Sequence, residues 1–324
     1  MARLAARLLV AVFGAWALGV QAQQPANAPR IGFLSALDYA AFPSRIDAFR
    51  QGLRELGYIE GKNIIVEYRW ADGRPERLPA LAAELERLNV RLIVSGGPSA
   101  TRPARQATKA TPIVMGFDGD PVGSGFVDSL ARPGGRITGL SFVSPEISAK
   151  QVDVLRQIIP ELTRIAVLGD SKEPGNERAV DGTRDAAHLL GLHVHYIDIR
   201  AIRSAAGAFG AARKERAQAL VVLPSPALTG DDLVRSAAAE RLPAMYWGAF
   251  LVDRGGLISY SANMDDLFRR AAIYVDKILK GAKPAELPVE QPFKFDLVIN
   301  LKAAKEIGIE IPMALLARAD RVIQ

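Results

Sequence analysis

From Arg30 onward, short apolar runs alternate with segments whose apolar residues recur at helical spacing. Arg30–Ser35, Asn63–Tyr68, Arg91–Ser95 and Pro112–Phe117 are apolar and rich in β-branched residues, which predicts buried strands. Between them, Pro43–Gly57 carries Ile46, Phe49, Leu53 and Leu56 on one helical face, and Glu76–Asn89 carries Leu78, Leu81, Leu85 and Leu88. A third helix follows the turn Gly96-Gly97-Pro98-Ser99. Residues 119–141 break this rhythm: they are rich in Gly, Pro and Ser, and predict a long loop ending in a crossing strand, Ile137–Phe142. The alternation then restarts. Strands are predicted at Arg164–Leu168, His193–Ile197, Ala219–Leu223 and Pro243–Trp247, with helices at Glu146–Ile159, Glu177–Leu190, Ala205–Arg216 and Asp231–Glu240. Leu257–Tyr260 leads back across to a strongly amphipathic helix, Asp265–Lys280, and the tail holds a strand, Asp296–Ile299, and a short helix, Lys302–Ile307. Two such runs, separated by an irregular crossing, predict an α/β protein of two doubly wound, parallel-sheet lobes.

The first residues follow a different pattern. Arg3 and Arg7 precede the uncharged apolar stretch Leu8–Val20, and Val20-Gln21-Ala22 offers small residues at a cleavage site. This is the layout of a secretory signal over residues 1–22, too short for a membrane span of roughly 20 apolar residues. It predicts export to the periplasm, and no later stretch of the sequence is apolar enough to span a membrane.

Composition narrows the chemistry. The 324 residues are 49% apolar, enough for large cores, and the net charge of +6 is spread without a basic stripe, which argues against a nucleic-acid partner. There is no cysteine, so disulfides and thiolate chemistry are excluded. His193 and His195 share a strand face without the carboxylates a metal site would need, and no metal or cofactor is expected. No P-loop lysine motif, nucleophile elbow or dinucleotide-binding glycine pattern follows a predicted strand, and nothing positively supports catalysis.

In open parallel sheets, ligands sit beyond the carboxyl ends of the strands, where helix N-termini present free N–H groups. The residues placed there are Ser35, Gly97, Ser99 and Asp120 in the first run, and Ser171, Asn176, Ser225 and Trp247 in the second. Hydroxyls and helix ends suit a carboxylate, an aspartate suits an amine, and Trp247 suits an apolar wall; together they fit a small zwitterion.

The stretch Phe49-Arg50-Gln51-Gly52-Leu53-Arg54-Glu55-Leu56-Gly57-Tyr58, the segment from Asp120-Pro121-Val122-Gly123 through Ser129 to Gly135, and Leu287–Pro292 with Ile299–Lys302 resemble the ABC transporter substrate-binding proteins of the type 1 periplasmic-binding fold. Within these, the sequence is similar to tryptophan- and aromatic amino-acid-binding members. The resemblance runs from about Ile31 to the C-terminus. It implies lobes of residues 30–142 plus 263–290 and 143–262 plus 291–324, joined by three crossing segments that close on a ligand. It also implies Ser141 as a site residue, an inner-membrane ABC permease as partner, and a monomer. Alternatives are a periplasmic ligand sensor for a receptor or kinase, and an exported isomerase.

Overall fold

The architecture is seen in a computed structural model, which describes residues 28–324 apart from 41, 42, 143, 144 and 174. The expected signal, residues 1–22, lies outside the described residues. In chain order, the first lobe contains β1 (Arg30–Ser35), α1 (Pro43–Glu55), β2 (Ile65–Trp70), α2 (Leu78–Arg87), β3 (Ile93–Ser95), α3 (Pro98–Ala107), β4 (Ile113–Met115) and β5 (Ile137–Gly139). The second contains α4 (Pro145–Ile158), β6 (Arg164–Gly169), α5 (Asn176–Leu189), β7 (His193–Asp198), α6 (Ile199–Ile202), α7 (Ala205–Lys214), β8 (Ala219–Val222), α8 (Asp231–Ala239), β9 (Ala244–Tyr246), α9 (Ala249–Asp253) and β10 (Ile258–Ala262). The chain then returns to the first lobe as α10 (Met264–Leu279), and ends in the second with β11 (Phe295–Asn300), α11 (Leu301–Ile307), α12 (Met313–Leu316) and β12 (Arg321–Ile323).

Among the described residues, the first sheet has five parallel strands in the order β2-β1-β3-β4-β5, and the second has seven in the order β12-β11-β10-β9-β8-β6-β7. Among the described strands only the β10–β11 pairing is antiparallel. Central strands are buried on both faces, as their continuous apolar runs require: Ile31 to Ser35 of β1 and Ala219 to Val222 of β8 are all buried. Helix α2 lies flush on β1 because Gly32 has no side chain; a β-carbon there would meet Leu85 at 2.8 Å.

Helix α10 joins the first lobe through its apolar stripe. Leu267, Phe268, Ala271, Ala272, Val275 and Ile278 share one core with Phe33, Ile46, Phe49 and Leu53. Burying a large apolar side chain of this kind contributes roughly 1.5–3 kcal/mol. The packing is close: a β-carbon on Gly52 of α1 would lie 2.2 Å from the carbonyl oxygen of Arg269. Asn263 caps α10, its side chain accepting the N–H of Asp266 at 2.8 Å, while Asp265 and Asp266 place negative charge at the positive end of the helix.

Two crossings differ from the sequence expectation. Residues 137–139 pair with β4 as the edge of the first sheet, so only the following residues lead across, and Leu140 there pairs with Glu290 of the last crossing. Residues 258–262 stay in the second sheet between β9 and β11, and the chain crosses at Asn263. No helix among the described residues is long and apolar enough to cross a membrane.

Candidate functional site

The carboxyl ends of β1, β3 and β4 face those of β6, β8 and β9 across a seam between the lobes. A cavity of about 40 Å³ lies there, lined by Ser35, Arg45, Gly97, Ser99 and Phe117 from the first lobe and by Glu173, Ser225 and Trp247 from the second. Both lobes supply the walls. A larger cavity, about 840 Å³, opens at the opposite end of the second lobe among Pro160, Phe209 and Pro312. It lies at the amino ends of the strands, where open sheets do not place their ligand crevice.

Gly97 has φ +134°, a conformation that L-residues rarely adopt, and a β-carbon there would meet Phe117 at 2.8 Å. The glycine thus lets Phe117 fill the wall beside the start of α3, where Ser99 is half-buried. The Ser35 hydroxyl accepts the N–H of Leu37 at 3.2 Å. In the second lobe, Trp247 is buried; its indole N–H donates to the Leu228 carbonyl at 3.3 Å, and its ring lies edge-on to Phe250 with centroids 5.0 Å apart.

The floor of the second lobe is a polar network. Asp170, fully buried, accepts two hydrogen bonds from Arg200, both of 2.7 Å, one from the Ser225 hydroxyl at 2.9 Å and one from the Lys172 N–H at 3.0 Å. Burial opposes its ionisation, but Arg200, the backbone and Ser225 together hold it below the usual carboxylate range. Asn176 accepts the Asp170 N–H at 2.9 Å and donates to the Pro224 carbonyl at 2.8 Å.

Of the residues expected from the sequence, Ser35, Gly97, Ser99, Ser225 and Trp247 meet in the cavity. Asp120 and Ser171 stand outside it, along a groove of about 700 Å³ on the seam. Asp120 forms an ion pair of 3.1 Å with Arg178 across the lobes, and Ser171 is exposed. Asn176 is buried in the network behind the wall. Ser141 is buried in a crossing, its hydroxyl donating to the Asp118 carbonyl at 3.2 Å.

Three charged groups at the seam were not among the expected site residues. Arg45, on α1, is 6% exposed; its guanidinium carbon lies 5.7 Å from the Trp247 centroid and 5.5 Å from that of Phe250, both in the other lobe. Burial pulls its pKa down to about 9, with Asp265 opposing, so it stays charged at neutral pH. Glu173 lines the cavity, and burial, with the charges of Asp170 and Asp118, pushes its carboxyl up to about 8. Asp118, wholly buried, is pushed up to about 7, chiefly by burial.

The model of a family described as ABC transporter substrate binding protein matches residues 30–323. A tyrosine-binding protein of Clostridioides difficile is 22% identical over 282 residues, which are 86% of this chain and 81% of that protein. An ABC domain from Streptococcus pneumoniae in complex with L-Trp superposes with a TM-score of 0.85 at 26% identity, covering 91% of this chain and all of the other. A conserved domain protein from Vibrio cholerae gives the same TM-score and identity, with 91% and 99% covered. The lobes, their parallel sheets and these likenesses define a type 1 periplasmic-binding fold, and the chain belongs to the ABC transporter substrate binding protein family.

Proposed function

We propose that this chain is the solute-capturing component of an ABC importer, and that it holds a small zwitterion with an aromatic side chain between its lobes. The observation that carries this reading is the cavity to which both lobes contribute an aromatic wall, Phe117 and Trp247, and a charged group, Arg45 and Glu173. Aromatic walls receive a ring, while charges of both signs suit the two ends of an amino acid. Relatives described as binding tyrosine and as complexed with L-Trp support the same class of ligand.

In this reading Ser35, Gly97, Ser99, Ser225 and Trp247 touch the ligand. Asp120 and Ser171 act at the rim, and Ser141 and Asn176 hold the backbone around it. The lobes divide near residues 142, 262 and 290, and these segments serve as the hinge. A closed lobe pair presents a surface that an inner-membrane permease reads, and capture needs no chemical step. Residues 1–22 direct export and are removed in the periplasm, where the protein acts as a monomer.

A thermal-shift screen of the amino acids tests this reading. Ligand at 100 times its Kd adds roughly 2.7 kcal/mol of stability, so tryptophan, tyrosine or phenylalanine raises the Tm by several degrees. A screen in which no aromatic amino acid moves the Tm overturns the assignment of ligand class. Turnover of a bound compound by the purified protein overturns the assignment as a carrier.

A further inference from the structure

Behind the seam cavity lies a second hollow, and one side chain separates the two. A groove of about 560 Å³ opens beside the crossings, where the Asn263 N–H donates to the Lys294 carbonyl at 3.0 Å. It is lined by Ser44 and Asp265 from the first lobe and by Phe250, Asp253 and Asp296 from the second. Its volume falls within the roughly 300–1,000 Å³ of small-molecule sites. Among the described residues, Arg45 alone lines both this groove and the cavity of Ser35, Ser99 and Trp247. Trp247 faces the cavity and not the groove; Phe250 faces the groove and not the cavity.

Packing fixes this partition. The Arg45 guanidinium stands against both rings, which brace each other edge-on. A β-carbon on Gly248 would meet the Phe250 ring at 2.8 Å, so that ring is folded back onto its own turn. At the base, the Ser44 hydroxyl donates to the Asp265 carboxylate at 3.0 Å and ties the first turn of α1 to that of α10. Arg45 is therefore buried, although Asp253, Asp265, Lys294 and Asp320 of the groove beside it are exposed. Apart from Arg45 the groove is acidic: Asp253, Asp265, Asp296 and Asp320 stand there against Lys294 and Arg321, and Arg321 is paired with Asp253 at 2.6 Å. Such a surface suits a cationic group.

We infer that Arg45 fixes the length of the ligand: it ends the cavity at a single amino acid and shuts it off from the acidic groove, which would otherwise receive the second residue of a peptide, a basic one best. This deepens the reading of the cleft as an amino-acid site and rests on it. Arg45 is the cation of the cavity, so the carboxylate of an amino acid turns toward it. A residue joined through that carboxylate has to pass where Arg45 stands. The partition thus selects free aromatic amino acids over peptides that begin with the same residue.

Calorimetry with two matched pairs tests this: L-tryptophan against L-tryptophyl-L-lysine, and L-tyrosine against L-tyrosyl-L-lysine. Each pair keeps the ring and the free amine and differs in the added residue. Wild type binds the free amino acid about 10-fold or more tightly than its dipeptide, because the second residue meets a packed wall. Arg45→Ala and Arg45→Ser remove the wall: dipeptide affinity rises about 10-fold or more while that for the amino acid falls. Arg45→Met fills nearly the same space without the charge and still excludes the dipeptide, which separates bulk from charge. Wild type binding a dipeptide as tightly as its amino acid or more so, dipeptide affinity that does not rise in the two truncated variants, or an equal rise in Arg45→Met overturns the inference while leaving the cleft as the site. Wild type binding none of the four probes overturns the cleft reading and this inference together.

Discussion

Arg45 and Trp247 stand on different lobes, yet the guanidinium of one lies 5.7 Å from the ring centroid of the other, with Phe250 on its flank. A buried cation over two aromatic rings is a fastening that exists only while the lobes are together. Such a contact is worth about 0.5–2 kcal/mol. Arg45→Ala is therefore expected to weaken ligand binding about 2- to 30-fold, with a smaller loss for Arg45→Lys. Calorimetry on the two variants checks this, and equal affinity for wild type and Arg45→Ala removes the fastening role.

Gly175 tests closure by shape alone. Its φ of +85° and the 2.9 Å that would separate a β-carbon from Gly119 leave no room for a side chain. Gly175→Val should hold the lobes apart, raising the radius of gyration in X-ray scattering with ligand present and lowering affinity about 10-fold or more, since closure energy adds directly to binding. Far-UV circular dichroism should be unchanged. A variant that closes normally would mean that the loop yields.

The Asp118 carboxyl gives the unliganded protein a signed pH dependence. Its folded pKa of about 7 lies above the ordinary 3.8, so the folded state binds the proton more tightly than the unfolded chain. Stability from this group is fully present below about pH 4 and is lost as pH rises toward 7. Asp118→Asn, which cannot ionise, should raise the stability at pH 8 by about 1–3 kcal/mol and change it little at pH 4. Urea unfolding at the two pH values measures the difference, and an equal effect at both would show that charge is not the cause.

Asp170 has the opposite sign. It is held below its usual pKa, so its contribution is present above about pH 4 and lost as pH falls through the lowered value. Arg200→Ala would strand a fully buried carboxylate and should cost about 3 kcal/mol at neutral pH. Arg200→Lys should recover part of that loss, because one ammonium replaces only one arm of the bidentate contact. Denaturant melts of the two variants give the comparison.

Strand–helix alternation made the two sheets legible, because short continuous apolar runs rich in β-branched residues stand out against segments whose apolar residues recur near every 3.6 positions. The same logic located Ser35, Gly97, Ser99, Ser225 and Trp247, which follow strands and share one cavity. It could not locate Arg45, which sits on a helix face and reaches the seam only through the relative placement of α1 and the second lobe. Nor could it choose between Asp118 and Asp120, two residues apart: which carboxylate turns inward depends on the turn closed by the Asp120 N–H on Asp118. Helix α9 and strand β12 have five and three residues, too short for a period to register. The destination of Ile258–Ala262 depended on pairing with β11, made nearly forty residues later.

The packing of α10 against α1 has a consequence for biosynthesis. A chain that emerges amino end first has its first sheet complete by Gly139, but the core of that lobe stays open until residues 264–278 arrive, some 120 positions later. Contacts this distant in sequence slow the search for the native state. The nascent polypeptide thus remains pliable for longer, and the late helix acts as a timer that postpones compaction of the first lobe until most of the chain has been made.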